Sequence, residues 1–454
     1  MALDSINPGN GELMAQFEEW TPERTREVVA AAGRAWPGWA HTSFARRSAV
    51  LTETARVLRD EKEKLARIMA LEMGKPIREG RAEIEKCALV CAYYAANGER
   101  FLMPEEVPTD GSRSFVAFRA LGTILAVMPW NFPFWQVFRF AAPALMAGNC
   151  GVLKHSSNVP QCAMAIEGIF HRAGLPENVF RTLMIGSGQV DAVIENRHVM
   201  AVTLTGSDAA GRKVAAKAGQ MLKKTVLELG GSDPFIVLAD ADLDEAARVA
   251  ALSRCLNSGQ SCIAAKRFIL VDEVFEPFLE RFKNEMAVLV VGDPLREETQ
   301  VGPQARWDLM EALHLQVKKS VEKGARVILG GAPSSGPGCF YPPTILTEVA
   351  PGMPAWDEEL FGPVASVIRV KDETEALRVA NDSPFGLGGS VWTRQLAKGE
   401  EMAAALRVGA VFVNGLVKSD PRLPFGGVGI SGYGRELSHY GIREFVNIQT
   451  VWIK

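Results

Sequence analysis

From Gly122 onward, short apolar runs alternate with longer segments of helical periodicity, and this alternation restricts the chain to few folds. Alternation of this kind favours a parallel sheet whose strands are joined by crossover helices. A second alternating set is predicted from about residue 225 to about residue 413, so the expected fold class is α/β. The first set predicts strands over residues 124–128, 150–154, 179–183 and 201–205, separated by helices over 133–147, 160–173 and 209–218.

The segments on either side of this alternation have other periodicities. Between about residues 21 and 97, apolar residues recur at spacings of three and four, as in Leu51, Ala55 and Leu58, which predicts helices. Residues 107–122 are alternating and turn-rich, and the tail 445–453 alternates like an edge strand. These two segments are candidates for a small strand arm.

The bulk composition limits the classes of function. The chain has 454 residues, of which 47% are hydrophobic, so roughly two to three domains with large cores are expected. A formal net charge of -3 gives no reason to expect a nucleic-acid or anionic-membrane partner. We expect no membrane span, because no run of about eighteen apolar residues occurs. The N-terminal residues also lack the basic and then apolar pattern of a signal peptide.

The seven cysteines are scattered and form no Cys-x-x-Cys pair. This pattern fits reduced thiols better than a disulfide framework or a zinc site. A cytoplasmic protein without a structural metal is therefore expected.

One of these cysteines is a candidate nucleophile. Cys262 ends the segment 257–262, Asn-Ser-Gly-Gln-Ser-Cys, and this small, polar, glycine-containing run suits a loop that a substrate carbonyl can approach. The alternative is that Cys262 is one more buried cysteine.

Three further segments carry candidate functional residues. Glu228 stands between leucines at a predicted strand end, where burial would raise its pKa and make it a useful base near neutral pH. Asn131 follows a predicted strand in 129–133, Pro-Trp-Asn-Phe-Pro, with Pro133 in the first helical turn, and its amide could stabilise an oxyanion. The third segment, 359–364, starts at Glu359. Each could also be an ordinary turn or strand-end residue.

Taken together, these segments resemble the aldehyde dehydrogenase superfamily. The likeness extends to Asn7-Pro8 near the start and to Pro424-Phe425-Gly426-Gly427 and Gly434-Arg435-Glu436 near the end. The resemblance implies a Rossmann-like cofactor domain from residues 1–106 and 123–227, and an α/β catalytic domain from 228–430. It also implies an oligomerisation arm from 107–122 and 431–454, with which we expect a homodimer or homotetramer.

The resemblance also implies a mechanism. Cys262 matches the family's nucleophile, Glu228 its general base, and Asn131, with the backbone N–H of Cys262, its oxyanion hole. Thiolate attack on an aldehyde would give a thiohemiacetal, hydride loss to a nicotinamide would leave a thioester, and Glu228 would activate water to release the acid.

The expected cofactor is NADP, with NAD also accepted. Ser157 stands where the family often has an acid that binds the ribose of NAD, and a hydroxyl there with Lys154 nearby would tolerate a 2′-phosphate. The alternative is that Ser157 is a neutral loop residue and both cofactors work. The backbone near Ser207 could hold the pyrophosphate at a helix N-terminus. The predicted cofactor-binding residues are Pro129, Trp130, Lys154, Ser156, Ser157, Gly206, Ser207, Leu229, Glu359 and Phe361.

The expected substrate is succinate semialdehyde. Arg139 matches the carboxylate-binding arginine of succinate-semialdehyde dehydrogenases, although a structural salt bridge is the alternative. Many of these enzymes have a second arginine where this chain has Leu256. The predicted substrate-binding residues are Trp135, Gln136, Arg139, Ser261, Ser419 and Phe425.

Three other functions remain open from the sequence. A broad aliphatic aldehyde dehydrogenase would share the same catalytic residues. A CoA-acylating relative generally lacks the base that Glu228 supplies, so its presence favours hydrolysis. A non-catalytic dinucleotide-binding relative is disfavoured by the joint presence of Cys262, Glu228, Asn131 and Glu359.

Overall fold

The computed structural model describes residues 2–454. The strands are β1 Ala2–Ile6, β2 Leu13–Glu18, β3 Glu105–Glu106, β4 Arg113–Ala120, β5 Thr123–Met128, β6 Cys150–His155, β7 Phe180–Thr182, β8 Val199–Thr205, β9 Lys224–Glu228, β10 Asp233–Val237, β11 Ala265–Val271, β12 Arg326–Leu329, β13 Thr344–Thr347, β14 Val364–Val370, β15 Phe385–Gly386, β16 Gly388–Trp392, β17 Ala410–Val413, β18 Val428–Gly429, β19 Gly432–Tyr433 and β20 Val446–Ile453. The helices are α1 Pro22–Ala40, α2 Phe44–Asp60, α3 Lys62–Met73, α4 Ile77–Phe101, α5 Trp135–Met146, α6 Pro160–Arg172, α7 Val190–Glu195, α8 Asp208–Gln220, α9 Leu243–Cys255, α10 Phe275–Ala287, α11 Trp307–Glu322, α12 Pro354–Asp357, α13 Glu373–Asn381, α14 Leu396–Ala405 and α15 Ser438–Glu444.

The first large sheet has the strand order β19-β9-β8-β5-β6-β7. Its four pairings from β9 to β7 run parallel, and only the short β19 is antiparallel to β9. Strand order reverses between β5 and β8, and in open α/β sheets the crevice at the carboxyl ends of two such strands is where ligands bind. The predicted α/β fold with a Rossmann-like sheet is confirmed.

For one strand, β9, the alternation and the family resemblance gave different expectations, since the resemblance placed residues up to 227 in the cofactor domain. The second alternating set was predicted to start near residue 225, but β9 pairs in parallel with β8 and completes the first sheet. The apolar run predicts a buried strand without identifying its neighbour, which depends on hydrogen bonds between distant segments. Glu228, the last residue of β9, therefore lies at the same sheet edge as the end of β8.

The second large sheet has the order β12-β13-β14-β11-β10-β16-β17. All its pairings are parallel except that of β12 with β13. The strands β10 and β11 are buried throughout, as expected for apolar runs covered on both faces. The loop that carries Cys262 leads directly into β11.

Two helices form the wall of the site beside the first sheet. Every residue of α5 is buried, including the polar Gln136 and Arg139. The 25-residue α4 packs against α5 and buries one face. The helix predicted to begin at Pro133 begins at Trp135 instead, because the Glu83 carboxylate of α4 accepts the backbone N–H groups of Phe134 and Trp135 and fixes its start there.

The predicted strand arm forms a three-stranded antiparallel sheet in the order β20-β4-β3. Eight residue pairs, from Val446 with Ala120 to Ile453 with Arg113, join β20 to β4. The segment 431–454 does not belong to the arm as a whole, because β19 pairs with β9 and α15 packs on α4 and α5. Among residues 2–454, no helix is long and apolar enough to cross a membrane.

Candidate active site

The loop before Cys262 has an unusual backbone. Asn257, Ser258 and Gly259 follow α9 with φ angles of 55°, 55° and 74°, which lie in the left-handed region. A Cβ atom on Gly259 would lie 2.2 Å from the carbonyl carbon of Gly362, so glycine is required there. Such strain persists only where surrounding contacts fix it, and it is common at functional sites.

A buried lysine holds this loop in place. Lys266 Nζ donates to the carbonyl oxygens of Ser261 at 2.9 Å and Cys262 at 2.8 Å. It also lies 3.1 Å from Glu359 Oε1, so the loop is linked to a residue predicted to bind the cofactor. Lys266 was not predicted from the sequence, although the pair Lys266-Arg267 at the start of a buried strand is a signal that buried partners exist.

Cys262 differs from the other six cysteines, since they are buried and its side chain is partly exposed. Burial raises the pKa of its thiol to about 12, while the positive charges of Arg139 and Lys266 oppose this shift. Burial thus favours the protonated thiol, and Cys262 needs a base or added positive charge to become a nucleophile.

Two cavities meet at Cys262. One, of about 190 Å³, lies between α4, α5 and the loop 416–419. The other, of about 260 Å³, lies at the carboxyl ends of β5 and β8, where strand order reverses. Both are lined by Cys262 and Gln136, so a molecule in each would present its reactive end to the same sulfur.

Asn131 is positioned to stabilise negative charge near this sulfur. It is buried, and its Nδ2 donates to the carbonyl oxygen of Gln260 at 3.1 Å. Asn257 Nδ2 in turn donates to the Asn131 backbone carbonyl at 2.7 Å. A primary amide has two N–H groups, so one remains for an oxyanion.

Glu228 is a buried acid whose two oxygens accept no hydrogen bond from residues 2–454. Desolvation raises its pKa well above the ordinary range, and the positive charge of Arg139 opposes this shift. A Cβ atom on Gly426 would lie 2.7 Å from Glu228 Oε1, so that glycine provides space for the carboxyl group. An acid of this kind can hold or take up a proton near neutral pH.

Most of the predicted cofactor residues lie together around the 260 Å³ cavity. Sequence analysis did not identify Thr205, Gly230 and Leu309, which line the same cavity. A Cβ atom on Gly230 would lie 2.2 Å from Glu359 Oε2, so the paired glycines of 230–231 make room for that acid. The predicted residues at this cavity are Pro129, Trp130, Gly206, Ser207, Leu229, Glu359 and Phe361.

Lys154, Ser156 and Ser157 lie outside that cavity. Lys154 is nearly at the carboxyl end of β6 and pairs in register with Val127 of β5, so it is one strand away from the cavity. Ser156 Oγ donates to Asn158 Oδ1 at 2.7 Å, and Ser157 is exposed.

The cavity has the donors that a dinucleotide requires. Ser207 caps α8, so the first N–H groups of that helix point toward the cavity edge, where a pyrophosphate would bind. The carboxylate of Glu359 lines the same cavity and could accept hydrogen bonds from ribose hydroxyls. These residues fit a nicotinamide dinucleotide.

All six predicted substrate residues line the 190 Å³ cavity: Trp135, Gln136, Arg139, Ser261, Ser419 and Phe425. The anion that Arg139 requires is Glu436, with which it forms a buried ion pair. Its guanidinium also lies 4.7 Å from the centre of the Phe425 ring. The structural salt bridge, which the sequence offered as the alternative role of Arg139, is therefore present. A direct contact of Arg139 with a substrate carboxylate stays a prediction.

Sequence analysis missed the contribution of α4. Glu79, Glu83 and Lys86 lie on one face of this helix and line the 190 Å³ cavity. Glu79 accepts the backbone N–H of Asn257 at 2.6 Å, and Glu83 accepts that of Trp135 at 2.9 Å. The spacing of these charged residues, four and then three positions apart, could have indicated that they share one helix face. Helix faces that are exposed to solvent have the same pattern, so the spacing alone does not predict a buried site.

The comparisons with known proteins agree with this geometry. Residues 1–451 match the aldehyde dehydrogenase family. The chain is 49% identical over 453 residues to a "probable succinate-semialdehyde dehydrogenase [NADP(+)]" of Synechocystis sp., with 100% of both chains covered. It is 47% identical over 458 residues to "succinate-semialdehyde dehydrogenase [NADP(+)] 1" of Mycobacterium tuberculosis, again with 100% of both covered. The solved structure of succinic semialdehyde dehydrogenase from Streptococcus pyogenes in complex with NADP+ is similar with a TM-score of 0.97, at 37% identity over 99% of each chain.

Proposed function

The chain belongs to the aldehyde dehydrogenase family, and we propose that it oxidises succinate semialdehyde to succinate with NADP+ as the hydride acceptor. The observation that carries this proposal is the position of Cys262. Its sulfur lies where a cavity with dinucleotide-binding donors meets a second cavity lined by cationic side chains. An aldehyde in the second cavity would have its carbonyl carbon at the sulfur.

The side chains around Cys262 have complementary roles in this reaction. The thiolate attacks the aldehyde carbon, and Asn131 Nδ2 with the Cys262 backbone N–H stabilises the oxyanion, each donor being worth roughly 3 kcal/mol. A nicotinamide dinucleotide held by the residues of the 260 Å³ cavity would supply the hydride acceptor, and loss of hydride from the thiohemiacetal would leave an acyl thioester on Cys262. Glu228 then takes a proton from water as the water attacks the thioester, and the acid leaves. Because Glu228 is present, water rather than CoA is the proposed acyl acceptor.

The preference for NADP is supported by Ser157 and Lys154. Ser157 is exposed on the loop after β6, and Lys154 is near the end of that strand. An acid at residue 157 would repel a 2′-phosphate, whereas a hydroxyl and an ammonium can donate to it. The named relatives of Synechocystis and Mycobacterium tuberculosis support the same cofactor.

The choice of succinate semialdehyde is supported by the charge and size of the substrate cavity. At about 190 Å³ it suits a small molecule, and Arg139 and Lys86 are among its lining residues. Because Arg139 is already paired with Glu436, an uncharged aldehyde would leave the Lys86 ammonium without an anionic partner, whereas a substrate with a carboxylate at its far end complements it.

Assembly and compartment are part of the same proposal. Ile448, Trp452 and Ile453 of β20 are exposed, and β20 is an edge strand of the arm. Exposed apolar edges are suited to pairing with another chain, so we propose a homodimer or homotetramer built on the arm. Seven free cysteines support a cytoplasmic location.

Steady-state kinetics test the activity directly. Formation of reduced cofactor is followed by absorbance with succinate semialdehyde, with NADP+ or NAD+, and without CoA. The proposal predicts turnover with a higher kcat/KM for NADP+, and none by Cys262→Ala. A requirement for CoA, or equal turnover by Cys262→Ala, would overturn it.

A further inference from the structure

Three cationic side chains line the substrate cavity, namely Arg139, Lys86 and the exposed Lys418, and Arg139 is already neutralised. Arg139 forms its ion pair with Glu436, and both side chains are buried. Breaking a buried pair leaves an uncompensated charge, so Arg139 is held to Glu436 rather than released to an incoming ligand. The wall at Leu256 is apolar and supplies no replacement.

The second cation, Lys86, has no such partner. Its Nζ donates to Ser419 Oγ at 2.7 Å and lies 4.3 Å from the centre of the Trp135 ring. It forms no ion pair with any residue in 2–454. An ammonium has three N–H donors, so two remain after the bond to Ser419.

The nearby acids are engaged elsewhere. Glu79, which also lines the cavity, accepts the backbone N–H of Asn257 at 2.6 Å. Glu83, one turn before Lys86 on α4, is paired with Lys75 and accepts the Trp135 backbone N–H. Asp420 pairs with Arg422 at 2.7 Å. Lys86 is therefore a half-buried cation in the cavity whose charge no neighbouring carboxylate neutralises.

We infer that Lys86 Nζ, with Ser419 Oγ, binds the carboxylate of an aldehyde substrate and so determines specificity for an ω-carboxy aldehyde. This inference rests on the proposed function and deepens it. Arg139 keeps Glu436 as its counter-ion, so the added negative charge of the substrate is matched by Lys86, and Trp135 forms the apolar side of the carboxylate site.

The test compares kcat/KM for succinate semialdehyde with that for butanal, which has the same number of carbons and no carboxylate. Lys86→Met removes the charge, Lys86→Arg retains it, and Lys64→Met removes an exposed lysine of α3 as a matched control. We expect the ratio of the two kcat/KM values to fall about tenfold to a hundredfold in Lys86→Met, through KM, as for loss of a hydrogen bond to a charged group. Lys86→Arg should retain most of the ratio, and Lys64→Met all of it.

The outcomes separate this inference from the proposed function. If the wild-type enzyme shows no preference for succinate semialdehyde, the proposed substrate is wrong. If the wild-type enzyme prefers it and Lys86→Met keeps the same ratio, the inference about Lys86 is wrong. A loss in Lys86→Met that is equal for both aldehydes would assign Lys86 a structural role and would also overturn the inference.

Discussion

Lys266 Nζ lies 3.1 Å from Glu359 Oε1 and also donates to the carbonyl oxygens of Ser261 and Cys262. One buried ammonium thus joins the loop that carries the nucleophile to the acid that lines the cofactor cavity. Because both cavities meet at Cys262, we expect their alignment to depend on this connection.

Replacing Lys266 by Met should damage both stability and catalysis. It leaves buried carbonyl groups and Glu359 without their partner, which should cost about 3 kcal/mol of unfolding free energy. Urea unfolding measures that loss, and pre-steady-state kinetics should show slower thioester formation. Lys64→Met is the control for loss of one positive charge. Wild-type stability and rate in Lys266→Met would contradict the assigned role.

Replacing Arg139 by Met should lower the reactivity of Cys262. The positive charge of Arg139 opposes the effect of burial on the Cys262 pKa, so its removal raises that pKa further. Alkylation by iodoacetamide at fixed pH should slow about tenfold for each unit of increase. Arg139→Ala should also reduce kcat/KM for succinate semialdehyde. Unchanged values in both assays would show that Arg139 serves neither the thiol nor the substrate.

The preference for an ω-carboxy aldehyde should depend on pH through Lys86. Burial and the nearby Arg139 lower the pKa of Lys86 to about 8, and the carboxylates of Glu83 and Asp420 are among the groups that oppose this shift. The ammonium is present below that pH and is lost above it. The ratio of kcat/KM for succinate semialdehyde to that for butanal should therefore fall as pH rises through about 8.

Lys86→Arg is the control for this pH dependence, because a guanidinium stays charged throughout the range. Its ratio should stay flat where that of the wild-type enzyme falls. A ratio for the wild-type enzyme that is constant from pH 7 to pH 9, about one unit either side of the Lys86 pKa, would contradict the prediction.

Replacing Ser157 by Glu should change the cofactor preference. A carboxylate at this exposed loop position would repel a 2′-phosphate and could accept hydrogen bonds from a ribose hydroxyl. We expect kcat/KM for NADP+ to fall by about tenfold or more, which corresponds to a loss of about 1.4 kcal/mol of binding free energy. The kcat/KM for NAD+ should be retained. Equal effects on the two cofactors would indicate that Ser157 does not contact the 2′ position.

Much of the fold could be predicted because its strands are apolar runs buried on both faces. The position of Asn131 after β5 and of Ser207 before α8 followed from the same pattern. The sheet to which β9 belongs could not be predicted, because pairing between distant segments leaves no mark in a single strand.

The contacts of buried charges were the least predictable part of the site. The sequence indicated that Arg139 needs an anion, but it did not distinguish a substrate from Glu436, since either satisfies the charge. Lys266 and Lys86 were missed for a related reason. A lysine on a strand or helix is usually exposed to solvent. Only the folded structure shows which lysines are buried or line a cavity.

The most direct test of the account is to isolate the acyl-enzyme in Glu228→Gln. This change removes the base and leaves the thiol, so one equivalent of NADPH should form in a rapid burst, followed by turnover at least a hundredfold slower than in the wild-type enzyme. Mass spectrometry of the acid-quenched protein should find one succinyl group on the peptide that contains Cys262. Absence of the adduct, together with turnover by Cys262→Ala at the wild-type rate, would contradict the central claim.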